Sequence, residues 1–170
     1  MYYCDIKYAD MINGEGIRVS LFVSGCSHGC KGCFNELTWN PSFGEVFDKN
    51  VQDEILDYFE KYEANLQGLS LLGGDPTYPL NIEPLKEFIS KFKNIYSDKN
   101  IWIWSGYTWE YISKNKKLLS LVCLCDVLVD GRFIEELKDL NLKYRGSKNQ
   151  RIIDIQKSLK EEKPIFYITF

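Results

Sequence analysis

The sequence predicts an α/β protein: a single domain over residues 1–170, built as a partial (open) β/α barrel around a parallel sheet. Two observations lead to this fold class. Four short apolar segments are each followed by a segment with helical spacing, the order expected of parallel strands joined by right-handed crossovers. No linker rich in proline or glycine divides the 170 residues, a length that suits one hydrophobic core.

The first unit is a strand at residues 17–23 followed by a helix that begins after Asp48. In "IRVSLFV", apolar side chains alternate with two polar ones, and Phe22 makes the second face apolar too, so we expect a strand covered on both sides. Asp48 can cap a helix that continues to Tyr62. The apolar residues that recur there at helical spacing are Val51, Ile55, Tyr58, Phe59 and Tyr62.

The second and third units repeat this order. "LSLL", residues 69–72, is a short buried strand that a glycine pair stops, and Asn81 opens the next helix. "IWIW", residues 101–104, precedes a helix predicted over residues 108–119. The lysines of "KNKK", residues 114–117, would then lie towards the end of that helix, where cations suit the helix dipole.

The fourth unit is the strand "DVLVD", residues 126–130, with a short helical segment over residues 134–139. Further strands are predicted at "RIIDI", residues 151–155, and at the terminal "IFYITF", residues 165–170, although residues 151–163 could also be partly helical. In such a sheet, ligands bind at the carboxyl ends of the strands. The unusual segments all follow strand ends: Cys26–Cys33, Gly73–Pro76, Ser105–Thr108 and Asp130–Arg132.

Composition excludes several classes of function. A net charge of −3 and an isoelectric point near 5.3 provide no basic field for a nucleic-acid backbone, so no nucleic-acid partner is expected. No segment approaches the roughly 20 apolar residues that span a bilayer, and the first ten residues do not resemble a signal peptide. We therefore expect a cytoplasmic protein with reduced thiols and no membrane partner.

Three of the six cysteines lie within "GCSHGCKGCFN", residues 25–35, with the spacing C-x3-C-x2-C. A structural zinc site usually takes four ligands in two close pairs, and His28 would have to complete it from within the same short loop. An iron-sulfur cluster held by Cys26, Cys30 and Cys33 would keep one iron open. The spacing favours the cluster over zinc or a redox pair. The other cysteines, Cys4, Cys123 and Cys125, fit buried positions, the last two on one face of a strand.

At this motif the sequence resembles the radical S-adenosylmethionine enzymes. The resemblance implies that Cys26, Cys30 and Cys33 ligate a 4Fe-4S cluster, whose fourth iron binds the amino and carboxylate groups of S-adenosylmethionine. "GGDP", residues 73–76, resembles the Gly-Gly-Glu-like segment of that family, with Asp75 in place of Glu. In isolation this segment would also fit a plain turn between a strand and a helix.

Residues 13–39 narrow the resemblance to the glycyl-radical enzyme activases, which share a Gly-x-Gly-Ile-Arg segment, and an Asn and a Trp after the third cysteine. Within these activases, the sequence most resembles those of anaerobic ribonucleoside-triphosphate reductases. The resemblance rests on Gly32 before the third cysteine and Phe34 after it, and on the segments "LLGGDP", "IWIWSGYT", "DVLVDGRF" and "YRGSKNQRIID" (residues 144–154). The implied partners are the large catalytic subunit of such a reductase and a one-electron reductant, flavodoxin-like or ferredoxin-like.

The resemblance also implies site residues. The three cysteines are expected to be the catalytic and metal-binding residues. The residues expected to bind the cofactor are Gly32, Cys33, Phe34, Gly73, Gly74, Asp75, Ser105 and Asp130. Asp130 with Arg132 would form a polar pair, or only a turn at a strand end. Arg145, Asn149, Gln150 and Arg151 would face a partner or close the barrel.

Two other functions stay open from the sequence. The first is a radical enzyme with a small-molecule substrate, such as a 7-carboxy-7-deazaguanine synthase, which also has a "GEG" segment before its cysteines. Trp39 and residues 144–154 argue against this enzyme. The second is a non-catalytic zinc or iron-sulfur module.

Overall fold

Seven strands form one sheet in the part of the chain that the computed structural model describes, residues 1–168. The strands are β1 (Tyr2–Asp10), β2 (Ile17–Val23), β3 (Glu45–Val46), β4 (Leu66–Gly73), β5 (Asn100–Ser105), β6 (Val127–Asp130) and β7 (Arg151–Asp154). The α-helices are α1 (Lys49–Tyr62), α2 (Ile82–Ile95), α3 (Trp109–Ile112), α4 (Lys116–Val122) and α5 (Ile155–Glu161). Within residues 1–168, no helix combines the length and the apolar character needed to cross a bilayer.

The strand order is β3-β1-β2-β4-β5-β6-β7. The four central strands, β2, β4, β5 and β6, are parallel, as predicted. At one edge β1 pairs antiparallel with β2, and β3 pairs antiparallel with β1; at the other edge β7 pairs antiparallel with β6. The prediction of a parallel sheet is therefore right for the centre and wrong for both edges. The short connection from β1 to β2 allows only an antiparallel pair, because parallel neighbours need a long crossover. The sheet is open.

Several predicted elements differ from those observed. The helix expected over residues 108–119 is broken into α3 and α4, because the Asn115 side chain caps α4 by accepting hydrogen bonds from the backbone N–H groups of Lys117 and Leu118. Cys123 and Cys125 lie in the turn after α4 rather than on a strand, which corrects that prediction.

The remaining predictions near the C-terminus are confirmed in part. The segment expected at residues 134–139 is one turn of 3-10 helix, Glu135–Leu137. "RIIDI" forms β7 and the start of α5, so the alternative of partial helix is also realised. Of the terminal "IFYITF", Phe166 makes one bridge to Ile153, and Thr169 and Phe170 lie outside the described residues.

The two faces of the sheet are covered differently. All five helices contribute to one hydrophobic core with alternate residues of the central strands, among them Leu21, Leu71 and Ile103. The other face carries a smaller apolar cluster of Trp102, Val127, Val129 and Ile152. Because the helices occupy only one face, the second face remains available for a cavity at the carboxyl ends of the strands.

Arg18 is fully buried on β2, at the end of the sheet opposite the cysteine loop. Its guanidinium donates to Ser70 Oγ and Asn100 Oδ1 at 2.7 Å, and also to the carbonyl oxygens of Glu15, Leu69 and Asn100. Burial lowers the pKa of Arg18 to about 10, so the side chain stays charged at neutral pH. The Arg18 guanidinium thus links β2 to β4 and β5 by hydrogen bonds, and its Cζ lies 5.6 Å from the centroid of the Trp102 ring.

We expect Arg18→Leu to lower the free energy of unfolding by about 3 kcal/mol, because the substitution leaves several buried acceptors without a donor. Urea unfolding followed by circular dichroism measures this loss. Lys160→Leu, at an exposed position of α5, is the control and should change the value by less than about 0.5 kcal/mol. Equal urea midpoints for Arg18→Leu and the parent would contradict this account of the buried charge.

Candidate functional site

The cysteine loop follows β2 and is tied to the neighbouring chain by backbone hydrogen bonds. The Gly25 N–H donates to the Thr38 carbonyl oxygen at 2.7 Å, and the Cys26 N–H donates to that of Trp39 at 3.3 Å. The Asp75 N–H donates back to the Gly25 carbonyl oxygen at 2.8 Å. The start of the motif is thereby joined both to the segment that follows it and to the end of β4.

The thiols of Cys26, Cys30 and Cys33 are partly buried and line one cavity. Burial raises the pKa of Cys26 to about 11 and also raises that of Cys30, because an apolar environment disfavours the thiolate. Backbone hydrogen bonds from His28 to Cys26 and from Phe133 to Cys30 act in the opposite direction. The donor set fits a metal group, since bound iron would supply the positive charge that a buried thiolate needs.

The cysteines are not arranged around a single ion. Within residues 1–168, no group of three or more His, Cys, Asp or Glu side chains is placed to hold one metal ion. In a 4Fe-4S cluster, by contrast, each thiolate binds a different iron atom. The three side chains share a cavity rather than a single coordination point.

The cavity has a volume of about 540 Å³, within the range of small-molecule sites. The predicted site residues that line it are Cys26, Cys30, Gly32, Cys33, Phe34, Gly73, Gly74 and Ser105. Phe34 lies at the rim, with 93% of its surface exposed. Of the predicted set, Asp75 and Asp130 are not among the lining residues that the structure describes. The structure thus brings together residues from three successive strand ends.

The glycine pair at the end of β4 is needed by the fold as well as by any ligand. Gly73 has a φ of 112°, and a Cβ there would lie 2.6 Å from the backbone of Val23. The Gly74 N–H donates to the Val23 carbonyl oxygen at 2.7 Å. The turn that the sequence allowed as an alternative therefore exists, and it also forms part of the cavity wall.

Asp75 is buried behind this wall and accepts hydrogen bonds at both carboxylate oxygens. Oδ1 accepts from the Thr77 N–H at 2.7 Å and from Thr77 Oγ1 at 2.6 Å. Oδ2 accepts from His28 Nε2 at 2.7 Å, from the Gly106 N–H at 3.0 Å and from Ser105 Oγ at 3.2 Å. One carboxylate thus connects the cysteine loop with the ends of β4 and β5.

His28 fixes the cysteine loop through contacts on both sides of its ring. Its ring is buried between the Asp75 carboxylate and Tyr107, with the centroids of the two rings 4.5 Å apart. A Cβ at position 106 would lie 2.3 Å from the His28 ring, so only glycine leaves room for it. The side chain holds the loop in place.

Asp130 is fully buried at the end of β6 and is held by Arg151. Asp130 Oδ1 accepts from Arg151 Nε at 2.9 Å, and Oδ2 accepts from the Trp109 N–H at 2.7 Å. The same guanidinium bonds both carboxylate oxygens of Glu110, at 2.9 and 2.8 Å. These hydrogen bonds raise the pKa of Arg151 and lower that of Glu110 to about 2. Asp130 thus anchors β7 and α3 here, whereas Arg132 reaches the cavity.

Residues 144–150 form one wall of the cavity beside the open sheet, which favours an enclosing role over facing a partner. Gln150 Oε1 accepts from the N–H groups of Gly146 and Ser147, and its Nε2 donates to the Gly131 carbonyl oxygen at 3.0 Å. Arg145 donates to the Gln150 carbonyl oxygen, and Asn149 donates to that of Arg132. Arg145 and Gln150 line the cavity.

Other lining residues were not predicted from the sequence. They are mostly apolar or aromatic: Ile12, Trp39, Trp104, Phe133, Leu140 and Tyr144. The alternation in "IWIW" could have identified Trp104 as a lining residue. It places Trp102 and Trp104 on the face of the sheet opposite the helices, where the cavity lies. Ile12 and Leu140 lie in irregular segments, where no periodicity marks a side chain that faces the cavity.

Comparisons with known proteins show an iron-sulfur domain and one family of relatives. A family model described as a 4Fe-4S single cluster domain matches residues 12–153. The chain is 43% identical over 152 residues to a protein of Haemophilus influenzae, covering 89% of this chain and 97% of that protein. It is 39% identical over 150 residues to one of Escherichia coli, covering 88% and 96%, and 41% identical over 152 residues to one of Enterobacteria phage T4, covering 89% and 93%. All three relatives are named anaerobic ribonucleoside-triphosphate reductase-activating protein.

We expect Asp75→Ala to lower the free energy of unfolding by about 3 kcal/mol and to reduce iron uptake, because it leaves His28, Ser105 and Thr77 without their common acceptor. Chemical unfolding and iron analysis after anaerobic reconstitution measure the two effects. Asp98→Ala, at an exposed carboxylate, serves as the control. Full iron content in an Asp75→Ala protein of reduced stability would show that the carboxylate does not position the cysteine loop.

Proposed function

Because the chain belongs to the family of anaerobic ribonucleoside-triphosphate reductase-activating proteins and carries their 4Fe-4S domain, we propose that it is an enzyme that generates a glycyl radical on such a reductase. A reduced 4Fe-4S cluster at Cys26, Cys30 and Cys33 would supply one electron to S-adenosylmethionine. The S–C5′ bond of S-adenosylmethionine would then break, giving methionine and a 5′-deoxyadenosyl radical. That radical would take a hydrogen atom from a glycine Cα and leave 5′-deoxyadenosine and the glycyl radical.

The observation that carries this proposal is the number of thiols at the cavity. Three cysteines from one loop line a space large enough for a nucleoside ligand. A 4Fe-4S cluster held by three thiolates keeps one iron without a protein ligand. Since the same cavity continues past the thiols, a small molecule can bind next to that iron.

The chain offers backbone and side-chain groups for S-adenosylmethionine around this cavity. The Gly74 N–H already donates a hydrogen bond to the Val23 carbonyl oxygen. The Gly74 carbonyl oxygen is therefore the backbone group that would accept a hydrogen bond from the amino group of S-adenosylmethionine. Gly32 and Phe34 flank the third cysteine at the cavity. Asp75 and the Ser105 hydroxyl would act as positioning groups, because their polar atoms already hydrogen-bond within the chain.

A protein substrate suits the rim of the cavity. Ile12, Phe34 and Leu140 line the cavity and are 76%, 93% and 87% exposed. Exposed apolar side chains around an opening mark a surface that another protein covers. We propose that the segment of the reductase that bears the glycine enters here, and that the reaction takes place in the cytoplasm, where the thiols stay reduced.

A 7-carboxy-7-deazaguanine synthase and a zinc module have less support. The three relatives align over almost their whole length with this chain and share one name. The matching domain family is described by a 4Fe-4S cluster rather than by zinc. We therefore favour the activase.

We expect Cys30→Ala to abolish cleavage of S-adenosylmethionine and to lower iron from about four atoms per chain, because a cluster held by only two thiolates is lost. Iron analysis and quantification of 5′-deoxyadenosine with dithionite as reductant measure both losses. Cys123→Ala, in the turn after α4, should keep iron and activity. Continued cleavage of S-adenosylmethionine by Cys30→Ala would refute the assignment of the cluster ligands.

Incubation with an anaerobic ribonucleoside-triphosphate reductase separates the activase from the small-molecule enzyme. Electron paramagnetic resonance should show a glycyl doublet on the reductase, and it should not appear when Cys30→Ala replaces the parent. 5′-Deoxyadenosine without any doublet, at full occupancy of the complex, would favour a different substrate.

A further inference from the structure

Three exposed lysines lie where α3 gives way to α4. Lys114 follows α3, and Lys116 and Lys117 occupy the first turn of α4. The expectation that these lysines would end a helix was wrong, because Asn115 begins a new one. Cations in a first helical turn are disfavoured by the helix dipole. Local helix stability therefore does not account for lysines at this place.

The surroundings leave this charge uncompensated. Among residues 1–168, no carboxylate lies within ion-pair distance of Lys114, Lys116 or Lys117. Glu110, on the preceding helix, is bound by both terminal nitrogens of Arg151. A local positive surface thus occurs on a chain whose net charge is −3. Such a surface attracts an acidic partner.

Aromatic rings connect the same place with the cysteine loop. Tyr111 is 52% exposed and stacks on Tyr107, with centroids 4.8 Å apart and planes at 11°. Tyr107 in turn contacts the buried ring of His28, at 4.5 Å. His28 lies between Cys26 and Cys30, and its backbone hydrogen-bonds the Cys26 sulfur. Three rings in contact therefore lead from the surface to the cysteine loop.

We propose that Tyr111, Lys114, Lys116 and Lys117 form a docking face for a small acidic protein that carries one electron at a time. This inference rests on the proposed function, which needs one electron for each cleavage of S-adenosylmethionine. The carrier loses one electron and the cluster gains it, with no transfer of a proton or a group. The route runs along Tyr111, Tyr107 and His28, since electron transfer slows steeply with distance through protein.

Charge and position favour this occupant over the reductase. None of the four residues of the docking face lines the cavity, where the glycine must enter. At the exposed rim of the cavity the apolar side chains of Ile12, Phe34 and Leu140 accompany the cations Arg132 and Lys138, whereas the docking face combines three cations with one aromatic ring. Complementary charge speeds the encounter of partners that must also separate quickly, as an electron carrier does after each turnover.

The test uses the double variant Lys116→Glu, Lys117→Glu with a purified acidic flavodoxin as the probe. Glutamates in the first turn of α4 suit the helix dipole, so the variant should fold at least as well as the parent. Its dissociation constant for the flavodoxin, measured by anaerobic calorimetry at low salt, should rise about tenfold. The parent's affinity should fall as salt is added, and that of the variant should depend on salt far less.

The matched control is Lys160→Glu, Lys163→Glu, which changes the net charge equally at exposed positions on and just after α5. It should bind the flavodoxin like the parent. Tyr111→Leu should slow reduction of the cluster several-fold, as followed by stopped-flow absorbance with saturating flavodoxin, where any change in affinity no longer affects the rate. Reduction by dithionite should be equal in all variants, because a small reductant needs no docking face.

Equal flavodoxin binding by the parent and by Lys116→Glu, Lys117→Glu would overturn the docking face. Loss of reductase binding in that variant, with flavodoxin binding intact, would also overturn it and assign the lysines to the reductase. Failure of the parent to form 5′-deoxyadenosine with dithionite would refute the proposed function instead, and it would leave the calorimetric result to decide the docking face by itself.

Discussion

The buried carboxylate of Asp75 is the interaction on which the candidate site depends. A carboxylate removed from water must have its oxygens hydrogen-bonded, and donors from His28, Thr77, Ser105 and Gly106 do so. These donors come from three separate strand ends. The same bonds therefore fix the cysteine loop, the turn after β4 and the turn after β5 relative to one another. Asp75 does not line the cavity, but it hydrogen-bonds residues that do. Its replacement would therefore disturb the shape of the cavity indirectly.

The open sheet explains why the cavity lies where it does. Five helices cover one face, and the other face is closed only in part, by the Trp102 cluster and by residues 144–150. At the opposite end of the strands, the same face is occupied by the buried Arg18 side chain, which hydrogen-bonds Ser70 and Asn100. The remaining space opens at the carboxyl ends of the parallel strands, where loops can vary without disturbing the core. In the proposed function, a polypeptide substrate can approach such an opening, because no further element encloses it in the described chain.

The sequence was most informative where burial imposes a period. Apolar alternation and helical spacing located β2, β4, β5, β6, α1 and α2, and the cysteine spacing located a loop whose three thiols line the cavity. The half-exposed strand β1 was missed, although Cys4, Ile6 and Tyr8 alternate there with the exposed residues Asp5, Lys7 and Ala9, the period of a strand. Tertiary contacts were also beyond reach. Nothing in the local sequence indicates that Asp130 pairs with Arg151, or that the cavity wall includes Ile12 and Leu140. Such pairs depend on how the strands assemble, which a single sequence does not encode as a pattern.

In the functions proposed above, the cavity rim serves the reductase and the lysine docking face serves the electron carrier, and the two reach the cysteine loop from different directions. The rim, marked by Phe34 and Leu140, opens onto the cavity, whereas Tyr111 meets the loop through Tyr107 and His28. Cleavage of S-adenosylmethionine without a bound glycine would waste the cofactor and leave a reactive radical next to the protein. A chain that binds its electron donor away from the rim can receive the electron while the reductase already covers the cavity. Separate surfaces thus allow reduction to follow substrate binding, an order that a single shared surface would forbid.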